Sequence, residues 1–240
     1  MKISLCAELS TLNIKKNLDT IKRVVETSKS DLFVFGEAFL QGFDAMSFEY
    51  KKDIKIALPE NSIEIAQVKN LAKENECAIA FGFYENASGT IFTSCLVVGK
   101  TGKTLCKYRR VSTGWRIQNA CADYREGENF QNFELDGKRF GILLCGDFWE
   151  DKLLPAIADL DAEVDAFLWA VHCDYTIERW EKDEHPEYKK RTTILAKPVF
   201  FCNNYTEDEL SAKGGAYLWQ QGKEIKALKA GKSGVLTFEF

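Results

Sequence analysis

The chain has 240 residues, of which 45% are hydrophobic and 28% charged, with a formal net charge of −4. That composition can fill a sizeable core. It excludes the basic stripe of a nucleic-acid footprint and the polybasic run that docks on an anionic membrane. No apolar segment approaches the length of a membrane span, and the opening "MKISLCAELS" lacks the apolar stretch of a signal peptide, so the expectation is a cytoplasmic protein.

In chain order, "KISLCAEL" reads as a first strand. "NIKKNLDTIKRVVETSK" follows as a helix with Ile14, Leu18, Ile21 and Val25 on one face. "DLFVFG" is apolar at nearly every position, as expected of a strand buried on both faces. "LPENSIEIAQVKNLAKENE" is a second helix, with Pro59, Asn61 and Ser62 as start signals and Ile65, Val68 and Leu71 or Ala72 as its stripe. "CAIAFGFYE" is the next strand, and "GKTGK" joins "TIFTSCLVV" to "TLCKYRR" as a hairpin. A second hairpin pairs "NFQNFEL" with "RFGILLC" across "DGK". "WEDKLLPAIADLDAEV" reads as helical, "DAFLWAV" as a strand, and "IERWEKDEHPEYKKRTTILA" as mostly helical with an interruption at Pro186. "PVFFCNN", the hairpin "GGAYLWQQGKEIKAL" and "GVLTFEF" complete the chain. Helix-crossed strands mixed with hairpins imply a mixed sheet or a pair of sheets with helices on the faces, organised as one domain over residues 1–240.

Eight cysteines lie mostly inside strand-like apolar runs, where a free thiol behaves as a small hydrophobe. There is no CxxC pair, and His172 and His185 are not spaced with cysteines as ligands would be, so no metal is expected.

Three strand ends carry chemistry-bearing residues: Glu37 in "LFVFGEAFLQGF", the cations Lys107, Arg109 and Arg110 in "CKYRRVSTGW", and Cys145 in "FGILLCGDFWE". Strand ends on one edge of an α/β core are where sites assemble. A thiolate nucleophile, a carboxylate to move its proton and a cation to hold an oxyanion together suggest acyl transfer. Each residue alone also reads as a packed cysteine, a capping acid or a solvated basic face.

The same three motifs, in this order, resemble the carbon–nitrogen hydrolase (nitrilase/amidase) superfamily over essentially the whole chain. Glu37 stands at the position of the general base, with Gly42 and Phe43 matching the Gly-aromatic pair that follows it. "YRR" resembles the basic "YRK" motif, and Cys145 with Asp147 resembles the nucleophile motif, in the C-x-D-x-W form of glutaminase-type members. The late hairpin carrying Gly215 and Gly222 is also similar. The resemblance implies a four-layer α-β-β-α sandwich of the nitrilase type, a Glu–Lys–Cys site without metal or cofactor, a thioester intermediate and a homodimer. The implied substrate is a small amide or nitrile, with amide favoured by analogy.

The family's lysine position is occupied by Arg110. Lys107, three residues back on a strand, projects to the opposite face, and Arg109 faces the same way as Lys107. Arginine keeps the charge in a larger, planar fork. The second glutamate of many members has no clear match; Gln118 is nearest in spacing, with Asp123 and Glu126 as weaker candidates. Gln118, Asp147, His172 and Cys173 are the expected substrate-contacting residues. Trp115, Trp169 and Trp219 read either as pocket lining or as core. Two other readings stay open: a member that binds a small amide or acid without turnover, and a dimeric scaffold with Cys145 inert.

Overall fold

The computed structural model describes residues 1–240. Its strands are β1 (Lys2–Ala7), β2 (Leu32–Phe35), β3 (Ala78–Ala87), β4 (Thr90–Val98), β5 (Thr104–Arg109), β6 (Asn132–Leu135), β7 (Lys138–Leu144), β8 (Ala166–Val171), β9 (Val199–Asn203), β10 (Ala216–Gln220), β11 (Lys223–Leu228) and β12 (Gly234–Glu239). They form two six-stranded sheets, ordered β12-β1-β2-β3-β4-β5 and β11-β10-β9-β8-β7-β6. Each sheet has three adjacent parallel strands, β1-β2-β3 or β7-β8-β9, continued by antiparallel neighbours.

The two-residue period of the strands sorts their side chains between two faces. Ile3, Leu5, Leu32 and Val34 meet Phe140, Ile142, Leu144 and Leu168 between the sheets. Many residues in this layer are small, including Ala7, Ala78, Ala80, Ala166, Ala170 and Ala216, which lets the sheets approach closely. The other face of the first sheet presents Phe33, Phe35, Ile79 and Phe81 to the helices Ile14–Thr27 and Ile63–Glu74. The other face of the second presents Phe167, Trp169 and Phe201 to Ile157 and Leu160 of helix Leu154–Glu163 and to Tyr188 of helix His185–Arg191. Helix, sheet, sheet and helix make four layers, the architecture expected from the resemblance.

The second helix buries Ile65, Val68, Leu71 and Ala72, the stripe read from its periodicity, and the Ser62 side chain caps it by accepting from Ile65 N. The first helix is rotated from its expected face: it buries Asn17, Ile21, Val24 and Val25, while Ile14 and Leu18 are half-buried. Asn17 is drawn inward because its amide bridges Thr11 and the Leu40 carbonyl, fixing the segment beyond Glu37. Residues 177–191 run on as one helix, but its α-pattern is interrupted just before Pro186 by the π-helical turn Trp180–Glu184, where the His185 N–H bonds back to the Trp180 carbonyl. Trp115, Trp169 and Trp219 are buried. No helix is long and apolar enough to cross a membrane.

Candidate active site

The C-terminal ends of β2, β5, β7 and β8 converge, and the residue after each strand turns into the same region. After β2 the chain passes through Gly36 to Glu37, whose N–H donates to the Val171 carbonyl at the end of β8 (3.2 Å), linking the two sheets. Neither Gly36 nor Gly82 beneath it can carry a side chain. A Cβ on Gly36 would overlap Asn204 Oδ1, and one on Gly82 would overlap the Ala38 backbone nitrogen. Asn204, just beyond β9, donates from Nδ2 to the Glu37 carbonyl at 2.6 Å. The Glu37 backbone is therefore held from both sheets.

The Glu37 side chain is fully buried. Its Oε1 accepts from Arg110 Nη1 at 2.9 Å and from Thr93 Oγ1 at 3.3 Å, while Oε2 has no hydrogen-bond partner. A buried, unpartnered carboxylate oxygen is costly. It is also the atom free to take a proton from a reacting group.

Arg110 is 4% exposed. Besides Glu37, it donates from Nε to Ser112 Oγ at 2.7 Å and from Nη2 to the Thr113 carbonyl at 3.1 Å. Burial opposes its charge, but the facing Glu37, Cys145 and Asp147 more than offset this and hold the guanidinium pKa above its ordinary value. The alternation read from the sequence holds. Lys107 and Arg109 lie on the other face, both against Glu85 (2.9 and 2.8 Å), and Arg110 alone turns to Glu37.

Cys145 begins a 3₁₀ turn, Cys145–Phe148, with φ of +38°. Such a conformation costs a non-glycine residue about 1–3 kcal/mol and is held only by its surroundings. Here Trp169 Nε1 donates to the Cys145 carbonyl at 2.9 Å, and the thiol lies 3.7 Å from the His172 carbonyl. Asp147 is the principal anchor. Its Oδ2 accepts from Tyr108 OH (2.6 Å) and Leu144 N (2.7 Å), and its Oδ1 from Ser112 N (2.8 Å) and Val111 N (3.1 Å). One carboxylate thus ties the cysteine turn to the strand and loop that carry Arg110. Burial, partly opposed by Arg110 and these donors, raises the Asp147 pKa. Arg191 holds the same turn from behind, donating to the Phe148 carbonyl at 2.7 Å.

All eight cysteines are free. Cys145 is partly exposed and Cys121 is exposed, whereas the other six are buried. Burial pushes the Cys77 and Cys106 thiols up to about 11, which leaves them unreactive.

The structure therefore brings Glu37, Arg110 and Cys145 to one place, with Asp147 beneath them. Both Asp147 oxygens are occupied by protein donors, which makes it an anchor of the turn where substrate contact was expected. Gln118 is exposed on the loop after β5 and hydrogen-bonds to none of the three; the loop instead reaches Glu150, through Thr113 Oγ1 at 2.7 Å. Glu126 is paired with Arg116. His172 is buried. Its ring stacks on Phe43 at 4.5 Å, accepts at Nδ1 from Asn204 Nδ2 at 3.1 Å, and presents Nε2 to Asp174 at 2.9 Å. It lines a cavity of about 310 Å³ with Gly42, Asp44 and Ser211. The Cys173 thiol packs beside Cys145 and lies 3.2 Å from Tyr188 OH. Sequence reading missed Thr93 and Asn204, whose partner Glu37 is set by packing between distant strands, and Ser112, whose side chain meets Arg110 two residues back through the turn after β5.

The sequence profile of the carbon-nitrogen hydrolase family matches residues 5–237, and the chain belongs to that family. Among curated relatives, an (R)-stereoselective amidase of Pseudomonas sp. is 26% identical over 152 residues, 63% of this chain and 52% of that protein. An aliphatic nitrilase of Rhodococcus rhodochrous is 19% identical over 82% of this chain and 62% of its own length. The matches thus span about half to three-fifths of these relatives. Among solved structures, an amidase of Nesterenkonia sp. AN1 superposes with a TM-score of 0.80 at 15% identity, covering all of this chain and 92% of the other. A carbon–nitrogen hydrolase superfamily protein of Xanthomonas campestris, with an arsenic adduct in its active site, gives 0.80 at 17% identity, with coverage of 99% and 89%.

Proposed function

We propose that this carbon–nitrogen hydrolase cleaves a small amide through a thioester on Cys145. The observation that carries the reading is the buried Glu37–Arg110 pair, with Glu37 Oε2 unpartnered, at the strand ends where Cys145 makes its strained turn. Glu37 takes the thiol proton and the sulfur attacks the amide carbon. The carbonyl electrons move onto oxygen. Arginine has five N–H donors, and three of Arg110's are committed to Glu37, Ser112 and Thr113. The other two remain for the oxyanion. Collapse expels the amine, which takes the proton from Glu37, and leaves the thioester. Glu37 then removes a proton from water, whose oxygen attacks the thioester and releases the acid, and the thiol is regenerated. Relatives named as amidases support an amide, and a relative named as a nitrilase makes the matched nitrile the substrate to compare.

Arg110's committed donors favour one second reading, a member that binds the amide without turnover. The test is ammonia release from a panel of small amides and matched nitriles, with intact-mass detection of the acyl adduct. Hydrolysis of an amide, with an adduct on Cys145 that is lost in Cys145→Ala, is the expected result. Turnover unchanged in Cys145→Ala overturns the mechanism. Stabilisation by an amide without adduct or ammonia assigns the binding role. We also propose that the protein is a homodimer, checked by sedimentation equilibrium.

A further inference from the structure

Gly146 follows the nucleophile directly. Its φ lies outside the left-handed region, so its backbone does not require glycine. Its surroundings do. A Cβ built there would overlap Nη2 of Arg110 and stand 3.3 Å from Cζ and 3.1 Å from Ser112 Oγ. The end of an arginine is ordinarily free to swing away. This one is not, because Nε is held by Ser112, Nη1 by Glu37 and Nη2 by the Thr113 carbonyl, with the side chain 4% exposed.

We infer that Gly146 and Ser112 are positioning residues that form a socket for the guanidinium, and that arginine serves as the cation of this site only with both in place. Gly146 supplies the volume that a guanidinium needs beyond an ammonium. Ser112 supplies the acceptor that fixes its plane. Two consequences follow from the geometry. Any side chain at 146 pushes the guanidinium away by about 1 Å, because packed atoms cannot overlap. A lysine at 110 leaves Ser112 Oγ and the Thr113 carbonyl without their donors and a void against Gly146, so lysine is not a conservative replacement here.

The test is a double-mutant cycle on Arg110→Lys and Gly146→Ala, read by Cys145 alkylation with iodoacetamide and by kcat and KM for an amide substrate. The kinetic reading rests on the proposed hydrolase function; the alkylation reading does not. In the parent, Gly146→Ala is expected to slow alkylation and lower kcat by about tenfold to a hundredfold, the scale of a 1 Å misplacement, with KM little changed. In the Arg110→Lys background the same change is expected to cost less than about twofold, because the shorter, unforked side chain leaves room for a methyl. Equal losses in both backgrounds, or no loss in the parent, overturn the inference. Should Gly146→Ala fail to fold, Ser112→Ala probes the socket without touching the turn: it slows alkylation when residue 110 is arginine and has no further effect when it is lysine. If no amide is hydrolysed but the alkylation coupling holds, the hydrolase reading fails and the socket stands.

Discussion

Replacing Asp147 separates an anchor from a substrate ligand. Its carboxylate accepts four hydrogen bonds, from Tyr108 OH, Leu144 N, Val111 N and Ser112 N, in a fully buried position. In Asp147→Asn the amide oxygen best replaces Oδ1, which keeps both Val111 N and Ser112 N satisfied. The new NH₂ then faces Tyr108 OH, which can turn to accept, and Leu144 N, which cannot. One orphaned buried donor costs about 1–3 kcal/mol, so Asp147→Asn is expected to lose about 2 kcal/mol. Asp147→Ala orphans all four donors and on the same scale loses roughly 4–12 kcal/mol, comparable with the whole stability of a domain. Urea unfolding gives the first number directly, provided the slope of free energy on denaturant is unchanged. The anchor role also predicts that kcat falls with the stability, because the Cys145 turn loosens. A loss below about 0.5 kcal/mol in Asp147→Asn, with KM alone raised, would refute this reasoning and return Asp147 to the substrate.

Two further predictions concern the faces of β5. Arg109→Gln breaks both hydrogen bonds to Glu85 and is expected to cost about 1–3 kcal/mol with Cys145 alkylation unchanged, whereas Arg110→Gln leaves Glu37 buried without its cation, costs about 3–5 kcal/mol and lowers turnover by on the order of a hundredfold or more; urea unfolding and alkylation rates of the two variants make the comparison. Burial acts to raise the Glu85 pKa, but hydrogen bonds from Arg109, Lys107 and Ser94 outweigh it and hold the pKa below its ordinary value. Its contribution to stability is therefore present above about pH 4.3, the ordinary glutamate value, and is lost as pH falls through the lowered folded value. Glu85→Gln should destabilise most at neutral pH, by a margin that shrinks in unfolding curves taken at progressively lower pH below that point.

Most of the fold was legible because the strand signals are strong and local. Runs such as "LFVF" and "AFLWAV" are apolar at every position, and in the structure both are buried on both faces. The two-residue period alone assigned Arg110 to one face and Lys107 with Arg109 to the other. The first helix shows where such reading ends. Its apolar stripe predicted Ile14 and Leu18 inward, but the Asn17 amide has partners at Thr11 and Leu40 that only the folded chain supplies. The site divides the same way. Glu37, Arg110 and Cys145 were visible as strand-end residues in a specific order. Thr93 and Asn204 were invisible because each acts on Glu37 from a distant strand, and Ser112 because its bond to Arg110, only two residues back, depends on how the loop after β5 turns. Gln118 was chosen by spacing along an irregular loop, where spacing carries no direction, and it is exposed. Asp147 was recognised by its distance from Cys145, but its role depends on Tyr108, Val111 and Ser112, some 35 to 39 residues earlier.

The central claim is that Cys145 is an activated nucleophile, and the rate of iodoacetamide labelling at each cysteine at neutral pH tests it most directly. Exposure alone ranks Cys121 first, Cys145 second and the six buried thiols last. Activation by the Arg110 charge, with Glu37 as proton acceptor, inverts the first two. Cys145 labelling faster than the more exposed Cys121, with the advantage lost in Arg110→Gln, is the result predicted here. Cys145 labelling more slowly than Cys121, and unchanged by Arg110→Gln, would contradict the account.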